Sequence, residues 1–210
     1  MIRLNHSVVT LTILFSACGE AETTGSSAAV AILRTTCPQS ASLTPSYRVR
    51  QGQQLQGLTG PSFAVQAARF GCQSVAGLTV EGGSLVGTAD GQVRRGTDFA
   101  GAALSVVDAT GVRAAVAITQ VESDPLDASG ETTLYTLMAL DPLTLEPKNL
   151  CTPDSDGRAA ALPLRGSWDG SGVGHADGSL SFFCTSGVVA KCVRWGYHPW
   201  PSRSRNGTDP

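Results

Sequence analysis

The chain has 210 residues, enough for one domain with a terminal extension. With 41% hydrophobic and 15% charged residues, it is too apolar and too weakly charged for an intrinsically disordered protein. Its formal net charge of −2 excludes a broad basic surface, so we expect no nucleic-acid partner.

Residues 1–17 have the pattern of an export signal. Arg3 precedes a short apolar run over residues 8–15, which is too short to span a bilayer. The segment ending Ser16-Ala17-Cys18 resembles a bacterial lipoprotein signal, in which small residues precede a cysteine that is acylated and becomes the new N-terminus. The alternative is an ordinary secretory signal cleaved near Ala17. The resemblance implies that the partner of the protein is a membrane, to which acyl chains on Cys18 anchor it.

The residues after Cys18 indicate where the protein is sorted and how it is spaced from the membrane. Gly19 follows the cysteine, whereas an Asp there would favour retention in the inner membrane, so the resemblance implies an outer-membrane lipoprotein facing the periplasm or the exterior. Residues 18–36 are mostly small and polar without a clear periodicity, which predicts a flexible tether. We therefore expect a protein of the bacterial cell envelope.

The body of the chain predicts β structure. Residues 37–77 are expected to be irregular or partly β. Beyond them, apolar runs are separated by turn signals, of which Glu81-Gly82-Gly83 is the clearest hairpin signal. The predicted strands are residues 78–80, 84–86, 103–107, 112–118, 131–140 and 180–184. This spacing predicts a mainly β fold, a single antiparallel sandwich or barrel-like domain over residues 78–200.

One short helix is predicted near the C-terminus. Ser186 is its candidate N-cap, and Gly196 is placed to follow its last turn. Val188, Cys192 and Trp195 share one helical face, which we expect to dock on the sheet. A helix of about two turns needs tertiary packing or a disulfide to stabilise it.

The cysteines support the prediction of export. Besides Cys18, five are expected to form disulfides in an oxidising compartment: Cys37, Cys72, Cys151, Cys184 and Cys192. An odd number leaves one thiol unpaired. Zinc would require Cys-x-x-Cys spacing or nearby histidines, which the sequence lacks, so we predict no metal or other cofactor. Cys184 is expected to pair with Cys151 or with Cys192.

No catalytic constellation is evident in the sequence. It lacks a Gly-x-Ser-x-Gly nucleophile elbow, a P-loop and a dinucleotide fingerprint. The polar candidates for acid and base chemistry are Asp154, Asp169, His175 and Asp177. Asp154 begins a segment that echoes a calcium loop but lacks its later ligands, so a turn is favoured. We therefore predict a non-enzymatic binding or structural module; the alternative is a periplasmic hydrolase or carbohydrate-active module using these four residues.

Three aromatic residues are clustered near the C-terminus. Trp195, Tyr197 and Trp200 lie within six positions of one another. Such a cluster can form a platform for a sugar or a peptide, which would make an envelope protein or a glycan the partner. Closure of one end of the core is the interpretation that we favour.

Most of the chain also resembles a known family. The resemblance is carried by Leu150-Cys151, by Asp156-Gly157, by the segment GSWD with Gly172, and by the segments FFCTSG at 182–187 and AKCVRWGYHPW at 190–200. Over residues 78–200 the chain resembles the ADYC-domain family of predicted secreted or lipid-anchored bacterial proteins. That family has no established activity, so the resemblance implies a location but no catalytic residues.

The end of the chain departs from this family. Members generally continue past the Pro-Trp segment into a further Cys-containing stretch with the Ala-Asp-Tyr-Cys tetrad. Here residues 201–210 are polar, contain no tetrad and are expected to be a disordered tail. The comparison implies a truncation after Trp200; divergence with a tolerated free thiol is the alternative. Truncation would orphan Cys192, which favours the Cys151–Cys184 pairing, and would leave the surface around residues 195–200 exposed.

Overall fold

The computed structural model describes residues 23–35, 64–107, 113–141, 143–168 and 174–200. Within these ranges the protein is mainly β, as predicted, with two antiparallel sheets and two α-helices. The elements are α1 (Thr23–Arg34), β1 (Ala64–Phe70), β2 (Gln73–Ser74), β3 (Ala76–Glu81), β4 (Ser84–Ala89), β5 (Gln92–Arg95), a 3-10 helix (Gly96–Phe99), β6 (Ala103–Val107), β7 (Arg113–Ser123), β8 (Thr133–Leu140), β9 (Pro147–Asn149), β10 (Ala161–Trp168), β11 (Gly174–Cys184) and α2 (Val188–Arg194).

The larger sheet has the strand order β11-β10-β8-β7-β6-β1-β2, and β9 pairs with β8. Alternate side chains of its strands point into one apolar core, in which Leu104, Ile118 and Tyr135 are fully or almost fully buried. The segment over residues 131–140 therefore forms a strand, β8, as its threonines and tyrosine predicted.

The smaller sheet has the strand order β3-β4-β5, and hydrogen bonds connect it to β8 of the larger sheet. Its predicted two-glycine turn contacts the start of β8, where the Thr133 N–H donates to the carbonyl of Gly83 at 3.0 Å. The Leu85 N–H donates to the Tyr135 hydroxyl at 2.8 Å. A Cβ on Gly83 would lie 2.9 Å from Cα of Thr132, so only glycine allows this approach of the two sheets.

The first helix replaces most of the predicted flexible tether. Residues 23–34 form α1, which packs against β7, β8 and β9, with Ala29 fully buried. The tether prediction is wrong here because the three alanines of α1 favour helix and the small side chain of Ala29 allows close packing against the sheet. The Thr35 hydroxyl donates to the Ala31 carbonyl at the end of the helix.

The predicted C-terminal helix is present as α2, but it docks by a different face. Val188 is 54% exposed and Trp195 is 71% exposed, whereas Ala190, Val193 and Arg194 are buried. The predicted docking face is therefore wrong. The rotation has a physical cause. It buries two aliphatic side chains in a second apolar cluster, which also contains Leu134, Leu162 and Phe183, and it brings the Arg194 guanidinium to two carboxylates.

The ends of α2 follow the sequence pattern in part. Gly187, not Ser186, is the N-cap and supplies no side-chain hydrogen bond. At the other end, Gly196 has a φ of +93° and its N–H donates to the Val193 carbonyl at 2.9 Å. Gly196 thus ends the helix in the left-handed conformation, as the sequence predicted.

The predicted disulfide is present between Cys151 and Cys184, whose Cα atoms lie 5.4 Å apart. Cys192 is a free thiol of intermediate exposure. Cys72 is disulfide-bonded. Cys37 and the proposed acylation site Cys18 lie outside the described residues, as do the predicted signal at 1–17 and the predicted tail at 201–210. None of the described helices has the length and apolarity to cross a membrane.

Candidate functional site

An open cleft of about 890 Å³ lies between the smaller sheet and the C-terminal segment. Five segments form its walls: the end of β3 with the turn that follows it, the β7–β8 loop, the middle of β10, the start of β11 and residues 199–200. Its polar lining side chains are Glu81, Glu131, Arg165 and His175, and its aromatic lining residue is Trp200. This volume lies in the range of small-molecule binding sites, and the mixture of apolar surface with a few polar groups is typical of them.

Trp200 is held in place by contacts on several sides. Its indole N–H donates to Oε2 of Glu131 at 3.0 Å. Its ring stacks on the imidazole of His198, with centroids 4.8 Å apart and an interplanar angle of 10°. It also packs against the apolar cluster that contains Leu162 and Val193. The aromatic wall of the cleft is therefore fixed before any ligand arrives.

Arg165 connects the two sheets across the cleft. It lies on β10, and its Nε donates to the carbonyl of Val80 on β3 at 2.9 Å. On the same strand as Val80, Glu81 forms an ion pair with Arg95 at 2.7 Å. The β3 side of the cleft therefore carries one carboxylate that is already ion-paired and one backbone acceptor that is already occupied.

The loop between β7 and β8 contributes Glu131 to the cleft, and Asp127 stabilises this loop. Asp127 accepts hydrogen bonds from the N–H groups of Ser129 and Thr132 at 2.8 and 2.7 Å. Burial would raise the pKa of Asp127, but the hydrogen bonds from Ser129 and Thr132 outweigh burial and lower the pKa to about 2. Nε2 of His198 lies 4.0 Å from Oδ1 of Asp127 and is a buried atom with no hydrogen-bond partner.

A buried ionic triad fixes α2 above this loop. Arg194 Nε donates to Asp124 at 2.8 Å, and Arg194 Nη1 donates to Asp154 at 2.8 Å. The exposed fractions of the three side chains are 4%, 0% and 2%. Burial would raise the pKa of Asp154, but its hydrogen bonds with Arg158 and other groups, including Arg194, lower it. Two buried carboxylates against one guanidinium need their further hydrogen bonds to be stable.

The four polar candidates from the sequence do not form one acid–base site. Both oxygens of Asp154 are engaged, one by Arg194 and one by backbone N–H groups of the turn it begins, so the turn interpretation fits. His175 and Asp177 lie on the exposed start of β11, and only His175 lines the cleft. Asp169 lies outside the described residues. The four are therefore not gathered among the described residues.

The three aromatic candidates take two different roles. Trp195 and Tyr197 are 71% and 74% exposed, so core closure is wrong for them. They point outward because α2 buries Ala190 and Val193 instead. Trp200 is half-buried and forms part of the cleft. The aromatic cluster of the sequence is thus divided between an exposed surface and the candidate site.

Several site residues were missed by the sequence reasoning. Arg194, Asp124, Asp127, Glu131 and Arg165 follow no motif, and their partners are distant in sequence. The local signal in the β7–β8 loop was its Asp, Pro, Ser and Gly content, which predicts turns but not partners. Within the described ranges, no group of three or more His, Cys, Asp or Glu side chains is arranged to hold a metal ion.

The cleft and the triad lie within a disulfide-linked antiparallel β domain, and comparison with known families matches part of that domain. The family model of the ADYC domain matches residues 96–209, more than half of the chain. The protein belongs to the ADYC-domain family. The match begins later than residue 78, where the sequence suggested, and it includes most of the C-terminal segment expected to be a tail. No curated protein and no solved structure matches the chain.

Proposed function

We propose that this protein is a lipid-anchored component of the bacterial cell envelope that binds a ligand in the cleft beside Trp200 and does not transform it chemically. The observation that carries the binding role is the fixed aromatic wall, where Glu131 and His198 hold Trp200 in a cleft of about 890 Å³. The anchor is supported by the residues Ser16-Ala17-Cys18 after a short apolar run, and Gly19 favours the outer membrane.

Of the hydrolase candidates that the structure describes, which are Asp154, His175 and Asp177, only His175 lines the cleft. General acid–base catalysis needs a carboxyl or imidazole that is free to exchange a proton with the substrate. Asp154 is enclosed by Arg194 and by the backbone of its own turn, with a lowered pKa. We therefore retain a binding role rather than a catalytic one.

The anchor is tested by mass spectrometry of the N-terminal peptide from cells that express the whole chain. Acylation predicts a diacyl or triacyl mass on Cys18, and Cys18→Ser is expected to release the protein from the membrane fraction. An unmodified N-terminus at or beyond Cys18 would refute the anchor.

The binding role is tested by thermal unfolding of the purified protein with a panel of saccharides, peptides and lipid headgroups. A ligand that binds only the folded state raises the midpoint temperature. We expect the shift to decrease in Arg165→Gln and to persist in Arg113→Gln, an exposed arginine on β7 away from the cleft. Mass spectrometry of the recovered ligand should show no change; a converted ligand would establish an enzyme instead.

A further inference from the structure

We propose that the ligand of the cleft is a neutral saccharide that packs a sugar ring against Trp200 and hydrogen-bonds through its hydroxyls to Glu131 and Arg165. This inference rests on the proposed binding function and specifies its ligand. A saccharide presents apolar C–H surface and many hydroxyls at once. The cleft offers an aromatic side chain and polar groups from separate elements, β10, β11 and the β7–β8 loop.

The aromatic contact is pre-organised. Trp200 has its N–H bonded to Glu131 at 3.0 Å and one ring face on His198 at 4.8 Å, so a ligand does not have to order it. An aromatic ring attracts the weakly positive C–H groups of a sugar through its negative face and excludes water from them. The same contacts leave the carboxylate of Glu131 with capacity to accept further hydrogen bonds.

The charges in the cleft favour a neutral ligand. Glu81 is already ion-paired with Arg95 at 2.7 Å. The remaining charged lining groups are Glu131 and Arg165, one of each sign. A ligand of either charge would meet one like and one opposite charge, Glu131 and Arg165, so the cleft favours neither an anion nor a cation. Hydroxyl groups can donate to the carboxylate and accept from the guanidinium without this cost.

An extended peptide fits less well on the β3 side of the cleft. Peptides commonly bind by adding a strand to a sheet edge through backbone hydrogen bonds. β3 is an edge strand of the smaller sheet, but the Val80 carbonyl already accepts a 2.9 Å hydrogen bond from Arg165. A charged side chain placed on an edge in this way blocks strand addition. We therefore favour a saccharide over a peptide.

The test is calorimetric titration of the purified protein with four kinds of probe. These are neutral oligomers of glucose, galactose, mannose and N-acetylglucosamine; an oligogalacturonate; a glucosamine oligomer; and uncharged pentapeptides. We expect at least one neutral oligomer to bind at concentrations up to about 10 mM, and the charged saccharides and peptides to bind at least tenfold more weakly. Glu131→Gln and Arg165→Gln should each weaken neutral-saccharide binding about tenfold, because each replaces a charge-assisted hydrogen bond by a weaker neutral one.

The controls distinguish failure of the saccharide inference from failure of the binding function. Arg113→Gln should leave saccharide affinity unchanged. Trp200→Phe keeps an aromatic ring in the cleft and takes the place of Trp200→Ala if that variant does not fold. Cleft-dependent binding of a peptide or a charged sugar, with none of a neutral sugar, overturns the saccharide inference and leaves the binding function standing. Absence of binding by every neutral probe also overturns the inference, and conversion of a probe overturns the non-enzymatic function.

Discussion

The guanidinium of Arg194, on α2, meets the carboxylate of Asp124, which follows β7, through two hydrogen bonds. Nε donates to Oδ2 at 2.8 Å and Nη2 donates to Oδ1 at 3.3 Å. Because Nη1 also binds Asp154, one side chain connects the helix to two loops. This connection fixes the end of α2, from which the chain continues to His198 and Trp200. The triad therefore positions the aromatic wall of the cleft without lining it.

Replacing Arg194 by Met should lower the free energy of unfolding by about 3 to 5 kcal/mol, because it leaves two buried carboxylates without their partner. Urea denaturation monitored by circular dichroism measures this loss. The matched control is Arg158→Met, which breaks an ion pair with Glu122 whose side chains are 34% and 39% exposed. That pair should contribute less than about 1 kcal/mol. Equal losses in both variants would contradict the assigned role of the triad.

Acid should destabilise the fold in part through Asp127. Its pKa of about 2 in the folded protein lies below the ordinary 3.8, so it stabilises the fold above pH 4, and this stabilisation is lost as pH falls through 2. The linked contribution is about 2 kcal/mol. In Asp127→Asn, the free energy of unfolding should fall less steeply between pH 4 and pH 2 than in the wild type. Parallel pH profiles of the two proteins would refute this linkage.

The sequence predicted the features that depend on short-range patterns. The hairpin at Gly82 and the ending of α2 at Gly196 follow from local backbone requirements, and β8 follows from its β-favouring residues. The Cys151–Cys184 pair was one of two alternatives, chosen because the family resemblance left Cys192 without a partner.

The remaining features depend on which distant groups meet. Asp124 and Arg194 are 70 positions apart, and no local pattern records their pairing. The docking face of α2 was predicted wrongly because apolar side chains alone were considered, whereas the buried Arg194 determines which face turns inward. α1 was missed because its docking on β7 and β8, which buries Ala29, depends on contacts distant in sequence.

Removal of the Cys151–Cys184 disulfide should destabilise the domain by about 4 kcal/mol in the chain-entropy model, since it closes a loop with a sequence separation of 33. The double variant Cys151→Ala/Cys184→Ala avoids a new free thiol, and thermal unfolding measures the change. The control is Cys192→Ala, which removes a partly exposed thiol without breaking a bond. A double variant as stable as this control would show that the disulfide adds little to the fold.

The exposed surface of Trp195 and Tyr197 should be separable from the stability of the fold. Their side chains are 71% and 74% exposed, so Trp195→Ser and Tyr197→Ser should change the free energy of unfolding by less than about 0.5 kcal/mol. Exposed apolar surface promotes association, so both variants should bind less hydrophobic dye and self-associate less in sedimentation experiments.

Trp200→Ala is the contrasting variant, since it removes the bond to Glu131, the stack on His198 and packing against the second apolar cluster. It should cost about 1 to 3 kcal/mol, below the range of a fully buried tryptophan. If Trp195→Ser destabilises the protein as much as Trp200→Ala, then the two aromatic side chains contribute alike to the folded core, and the division of this cluster between surface and cleft is wrong.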